Sequence, residues 1–361
     1  MKILLVQRVL MSYRLNFFKL LSQQLSNNLI VLHGNRHPDE MGLISADLQD
    51  SSSFILCKNY YLGEISNYLL IQLGVLRHFF SIQPEVIILE FNPRILSNYS
   101  WIFLSFFFRR KLILWGLGVL EIESKSAYKK FLYRLMALFA HDILAYSSYG
   151  KRTLLEVGIP EHKITVAFNS TVSPLANALT LRNQSQQIAE FNFSHPLKLI
   201  FIGRLIASKR VSELISFVDS THLPVQLDIY GDGPLLGELI KKNCNNVVFH
   251  GHCDQSKLAG PLCNAHFCVL PGRGGLAIQH AMASGCPVIC GIADGTQEDF
   301  IEHGQNGYIA ETDYFNNLET ILETVIKDPQ KILTLSKEAY QTIMKYNVET
   351  MATKFKNLIT S

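Results

Sequence analysis

The sequence predicts an α/β protein of two domains, each a parallel sheet with helices on both faces. Three observations carry that prediction. The length of 361 residues suits two domains of ordinary size. Short apolar runs of strand length alternate with helical stretches along the chain, the order that parallel sheets require. Glycine-bearing turns follow several of those runs, as at Gly203, Gly231 and Gly272–Gly275. A hydrophobic content of 48% against 17% charged residues allows a large buried core and excludes a disordered chain.

The first domain is expected over residues 1–170. Strands are predicted at Lys2–Val6, Leu29–His33, Phe54–Leu56, Val86–Leu89, Leu112–Gly116 and Ile143–Ser147. Helices are predicted from Ser12 to Leu25, from Ile65 to Phe80 and, as a basic amphipathic helix, from Lys125 to Ala140. Ser148 is the expected cap of a helix from Tyr149 to Val157. Polar groups just past a strand's carboxyl end line the crevice of an open α/β sheet. Glu90, Asn92 and Arg94 stand there after Val86–Leu89, and they read either as ligand contacts or as a local loop network.

A linker is expected over 171–196, the second domain over 197–335 and a terminal helical segment over 336–361. Two stretches of the second domain carry chemistry. Leu199–Ile202 is a strand that runs into Gly203, with Arg204 and Lys209 in the loop before a helix near Val211. Arginine forks onto two oxygens and lysine acts as a point charge, so the pair suits a diphosphate. Phe267–Leu270 is a strand leading into Pro271-Gly272-Arg273-Gly274-Gly275-Leu276, then a short helix through His280 to Ser284. Gly285 is its expected C-cap, and Pro287–Cys290 opens the next strand. A glycine loop feeding a helix start makes an anion site, because that first turn carries N–H groups without intrahelical partners and the positive end of the helix dipole.

Taken in order, five landmarks resemble the nucleotide-sugar domain of a family-4-type retaining glycosyltransferase of GT-B fold. They are Phe201-Ile202-Gly203-Arg204 with Lys209; Leu227 to Pro234; Val247 to Gly251; Gly274-Gly275-Leu276 through Ile289; and Gly304-Gln305-Asn306-Gly307-Tyr308. The family's two glutamates, eight positions apart, are replaced here by Gly272 and His280, and the sequence resembles a branch with that replacement. The resemblance implies two Rossmann-like domains with a cleft between them and a C-terminal helix crossing back. It implies donor binding by Gly203, Arg204, Lys209, Gly251, Gly274, Gly275, Leu276 and His280, with Arg204 and Lys209 stabilising the leaving diphosphate. A Tyr-Arg…Phe-Phe pattern recurs in similar transferases after the first strand, which places Arg14 beside Glu90, Asn92 and Arg94 on the acceptor side. Related sequences often hold a histidine in the Trp115-Gly-x-Gly turn, where this chain has Leu117.

The implied reaction moves a hexose-type sugar from a nucleoside diphosphate sugar to a lipid-linked glycan in surface polysaccharide assembly, such as O-antigen, capsule or exopolysaccharide. No Asp-x-Asp motif occurs, and no metal or other cofactor is expected. Two other readings stand beside it: an epimerase of the same fold, and a non-catalytic partner that binds nucleotide sugar. A dinucleotide dehydrogenase is disfavoured, since no Gly-x-Gly-x-x-Gly follows the first strand.

Charge and cysteine usage bound the surroundings. Residues 1–170 hold 18 Lys/Arg against 12 Asp/Glu, and the remainder holds 15 against 18. A basic first half with Phe106-Phe107-Phe108-Arg109-Arg110-Lys111 suits the anionic inner leaflet, and no nucleic-acid partner is expected. The seven cysteines form no Cys-x-x-Cys pair and read as reduced thiols of a cytoplasmic protein. Met1–Val6 is too short for a signal segment, and the ten apolar residues near Tyr99–Phe108 fall short of the roughly 20 that span a membrane. The expected location is therefore peripheral, on the inner membrane face.

Overall fold

The structure is a computed structural model, and it describes residues 1–37, 53–64, 68–119, 126–173, 178–179, 195–254, 257–272, 274–292, 295–310 and 313–361. Most of the expected 171–196 linker and Arg273 lie outside the described residues. The chain divides into two compact units, Met1–Thr171 with Val348–Ser361, and Val172–Asn347.

The first unit's strands are β1 (Ile3–Val9), β2 (Leu29–Gly34), β3 (Phe54–Cys57), β4 (Asn59–Leu62), β5 (Leu69–Gln72), β6 (Val86–Glu90), β7 (Lys111–Gly116), β8 (Asp142–Ala145) and β9 (Ile164–Val166). Seven of them form a parallel sheet in the order β3-β2-β1-β6-β7-β8-β9. β1, β6 and β7 are buried almost throughout because both sheet faces are covered, which is why they read as unbroken apolar runs. Helices α2 (Val75–Ile82), α3 (Ser97–Phe107), α4 (Ala127–Phe139) and α5 (Ser148–Glu156) cover one face with Phe79, Trp101, Met136 and Leu154. The other face is covered by α1 (Leu15–Gln24) and by the last helix of the chain, Val348–Thr360, whose Phe355 meets Phe17 and Trp115 edge-on.

Three local expectations need correction. The stretch 65–80 is not one helix: Leu69–Gln72 is β5, paired antiparallel with β4, and the helix starts only at Val75. Gly74, at φ 86°, turns the chain between them. The cap of α5 is Ser147, whose hydroxyl accepts the Gly150 N–H at 2.9 Å, rather than Ser148. The chain's end is two helices separated by a tight turn at Met344–Asn347, and only the second lies on the first unit.

The second unit holds β10 (Leu197–Ile202), β11 (Val225–Tyr230), β12 (Val247–Gly251), β13 (Phe267–Leu270), β14 (Val288–Gly291) and β15 (Gly307–Ala310). They form one parallel sheet in the order β12-β11-β10-β13-β14-β15. Its helices are α6 (Val211–Ser220), α7 (Leu236–Ile240), α8 (Ala259–Asn264), α9 (Leu276–Ala283), α10 (Gln297–Phe300), α11 (Tyr314–Lys327) and α12 (Gln330–Ile343); the helix at Val348–Thr360 is α13. All seven cysteines are free thiols, five of them buried. Among the described residues no helix is long and apolar enough to cross a membrane.

Candidate functional site

Each sheet has one point where the chain stops adding strands on one side and begins on the other. Loops splay apart there and leave room for a ligand. In the second sheet that point lies between β10 and β13. Both glycine-bearing motifs of the sequence leave the carboxyl ends of these two strands.

The loop after β10 turns at Gly203 (φ 151°) and forms a short 3-10 turn, Ala207–Lys209. Arg204 is exposed and Lys209 half-buried. Gly203 donates its N–H to Tyr230 at 3.0 Å, Leu205 to Asp232 at 2.9 Å, and Gly231 to Gly251 at 2.8 Å. Three consecutive loops are thereby laced together. A Cβ on Gly231 would stand 1.9 Å from the Gly203 carbonyl oxygen, so the Gly231-Asp232-Gly233 turn has no room for a side chain there. Gly251 closes β12 with φ 69°, and a Cβ there would meet no atom within 4 Å.

The loop after β13 comes back against the same turn. A Cβ on Gly272 would lie 2.1 Å from the Ser208 carbonyl oxygen and 2.8 Å from the Lys209 Cα. Gly275 then caps α9 at φ 55°, ψ −137°, a conformation essentially open only to glycine. Leu276 begins the helix, and Gly274 is buried against Ile278. At the far end, Gly285 (φ 67°) donates to Met282 and Cys286 to Ala281, both at 2.9 Å, a Schellman cap that fixes the helix's length. His280 lies one turn in from the glycine loop, and burial pushes its imidazole down to about 4, so it is neutral at pH 7.

The structure thus brings Gly203, Lys209 and the Gly272–Leu276 loop to one switch point. Gly251 belongs to the laced loops beside it, and His280 to the helix the loop starts. The Gly304–Tyr308 landmark is structural. Asn306 is buried, accepts the Glu302 N–H at 2.8 Å and donates to the Phe300 carbonyl at 2.9 Å and to Thr342 at 3.0 Å.

The first unit has its own switch point, between β1 and β6. Glu90 spans it, its Oε2 accepting the Arg8 N–H at 3.2 Å. Leu70 donates to the Arg94 carbonyl at 2.9 Å and Leu96 to the Leu70 carbonyl at 2.7 Å, which zips the β4–β5 hairpin to the loop after β6. That zip sets Tyr61 and Tyr68 edge to face at 5.1 Å, with His37 4.9 Å from Tyr61. Arg8 and Arg94 both stand over the Tyr68 ring, at 5.8 and 5.7 Å. Asn92 accepts the Arg94 N–H at 3.1 Å through its Oδ1. Arg14 is buried near the carboxyl ends of β1, β7 and β8. It lies 4.4 Å over Trp115 and donates to Tyr146 at 3.0 Å and to Gln7 at 3.2 Å. The Tyr61–Tyr68 cluster was missed in the sequence. Its signal was the Tyr60-Tyr61 pair beside an apolar stretch read as helix.

Comparison with known proteins agrees with this architecture. Residues 196–328 match the family described as "Glycosyl transferases group 1". A sulfoquinovosyl transferase of Arabidopsis thaliana is 28% identical over 168 residues, which cover 44% of this chain and 32% of that protein. The chain therefore spans only about a third of that relative's length. Anabaena HepE, solved in complex with UDP, superposes with a TM-score of 0.73 at 19% identity, covering 100% of both chains. The lipopolysaccharide outer core galactosyltransferase WaaB superposes at 0.70 with 17% identity, over 100% of this chain and 99% of that one. Residues 196–328 are thus similar to the family described as glycosyl transferases group 1, and the chain has the GT-B fold of these solved structures.

Proposed function

We propose that the protein transfers a hexose-type sugar, with retention of configuration, from a nucleoside diphosphate sugar to a lipid-linked glycan in surface polysaccharide assembly, at the inner face of the membrane. The observation that carries this is the juxtaposition at the β10–β13 switch point. There the loop bearing Arg204 and Lys209 lies against the glycine loop that starts α9. The names of the similar proteins support the substrate classes: a glycosyl transferase family, a UDP complex and a lipopolysaccharide galactosyltransferase.

The chemistry follows from charge. Breaking the glycosidic bond leaves a diphosphate, and the barrier falls when preorganised donors meet that growing charge. In this reading Arg204 and Lys209 neutralise the diphosphate, and the N–H groups of Gly274, Gly275 and Leu276 add the helix's positive end. These groups supply the charge that a metal ion supplies elsewhere, so the reaction proceeds without one. Neutral His280 offers one donor and one acceptor nitrogen, suited to a ribose hydroxyl. Glu90, Asn92, Arg94 and the Tyr61–Tyr68 platform form the acceptor side in this reading, with the buried Arg14 beneath them.

Replacing Arg204 or Lys209 with alanine is expected to lower donor turnover at least about tenfold each, since a charge-assisted contact to phosphate is worth more than about 1.4 kcal/mol. Turnover unchanged in both variants would remove the diphosphate assignment.

A further inference from the structure

The outer surface of the first unit carries a second feature that donor chemistry does not use. Helices α2, α3 and α4 pack on one sheet face with the inward residues Phe79, Trp101, Ile102 and Met136. Soluble amphipathic helices place polar groups on the opposite side. Here the opposite side is aromatic. Phe103, Phe106 and Phe107 of α3 are 66%, 67% and 68% exposed. Leu76 and Phe80 of α2 and Phe131 of α4 are exposed beside them.

These side chains are continuous across the three helices. Phe103 stacks on Phe107 at 6.2 Å, Phe107 meets Phe108 at 5.1 Å, and Phe108 meets Phe80 at 5.6 Å. On the other flank Phe106 meets Phe139 at 5.4 Å. Monomeric proteins rarely leave so extended an apolar surface in water unless something covers it. The charge on the three helices is of one sign: they carry Arg77, Lys129, Lys130 and Arg134 and no acidic residue, and Arg109 and Arg110 stand just past α3.

We propose that this α2–α3–α4 face is a membrane-insertion surface, with the phenylalanines entering the acyl boundary of an anionic leaflet and the cations meeting its headgroups. The face deepens the reading of a lipid-linked acceptor and rests on it for its purpose. A large apolar face with a cationic collar is the composition of interfacial helices, and it is complementary to anionic lipid rather than to a mixed-charge protein surface. Burial of the rings, not charge alone, sets the affinity, so binding persists where salt has screened the cations.

The test uses the whole chain and vesicles of phosphatidylglycerol and phosphatidylethanolamine, some brominated in the acyl chain. The two native tryptophans, Trp101 and Trp115, are fully buried and set the fluorescence baseline. Phe107→Trp is expected to show added emission that the brominated lipid quenches. A Phe103→Ser, Phe107→Ser variant is expected to lose about tenfold in partitioning at high salt while keeping its affinity for donor nucleotide in solution. Absence of quenching, or unchanged partitioning of the double variant, overturns the proposal. Self-association that the double variant abolishes, without vesicle binding, also overturns it and assigns the face to a second copy. Absence of donor binding by the unsubstituted protein would instead count against the transferase reading and leave the lipid result standing.

Discussion

His280 and Gly272 stand where the resemblance read from the sequence would place two glutamates, and the structure gives each a physical setting. Gly272 sits on the Ser208–Lys209 backbone with no space for a Cβ. The absent side chain is therefore a packing requirement of the two touching loops, a fact that no reading of one sequence supplies, since the contact joins residues over sixty positions apart. His280 is held neutral by burial. An unfolded chain takes up that proton below about 6.5, whereas the folded protein refuses it down to about 4. This contribution to stability is complete above pH 6.5 and is lost progressively as the pH falls toward 4. Chemical denaturation from pH 7 to pH 4.5 is expected to destabilise the unsubstituted protein more than His280→Gln, by an excess of about 2 kcal/mol. Parallel pH profiles would show that the imidazole is not shielded. Arg14 teaches the complementary lesson. Its guanidinium is buried and held by Trp115, Tyr146 and Gln7, contacts that join residues far apart in the chain and that the sequence pattern does not display.

Elements were legible where local chemistry decided them. The central strands β1, β6, β7, β10 and β13 read directly as apolar runs because they are covered on both faces, and the glycine loop, α9 and its Gly285 terminus read from residue type alone. The β4–β5 hairpin did not. Leu69 to Leu73 is apolar enough for a helix, and only the pairing with Asn59–Leu62 and the bonds to Arg94 and Leu96 make part of it a strand. The missed hairpin is the one that carries Tyr61 and leads to Tyr68, so their aromatic cluster was missed with it. At α9 the backbone itself can be tested. Gly275 holds φ 55°, ψ −137°, and Gly275→Ala is expected to cost about 1–3 kcal/mol of stability and to weaken donor binding in step. A thermal-unfolding midpoint equal to that of the parent protein would show that the loop tolerates a side chain and does not need the strained turn.

For the molecule as a whole, two parallel sheets each bring candidate site residues to a switch point: Gly203, Lys209, Gly272 and Gly274 to Leu276 in the second unit, Arg8, Glu90 and the tyrosines in the first. The chain passes from one unit to the other at Thr171–Val172 and returns at Asn347–Val348, where α13 docks Phe355 against Phe17 and Trp115. In the proposed reading the second unit's switch point binds a nucleoside diphosphate sugar and activates it. The decisive experiment is calorimetry of the purified chain against UDP-, GDP-, ADP- and dTDP-sugars, in EDTA and with released sugar followed in the same samples. Saturable binding of at least one donor is expected, with slow release of free sugar in the absence of an acceptor. Binding without release, even after membrane extract is added, would leave a nucleotide-sugar-binding protein that does no chemistry. No binding to any donor would contradict the account outright.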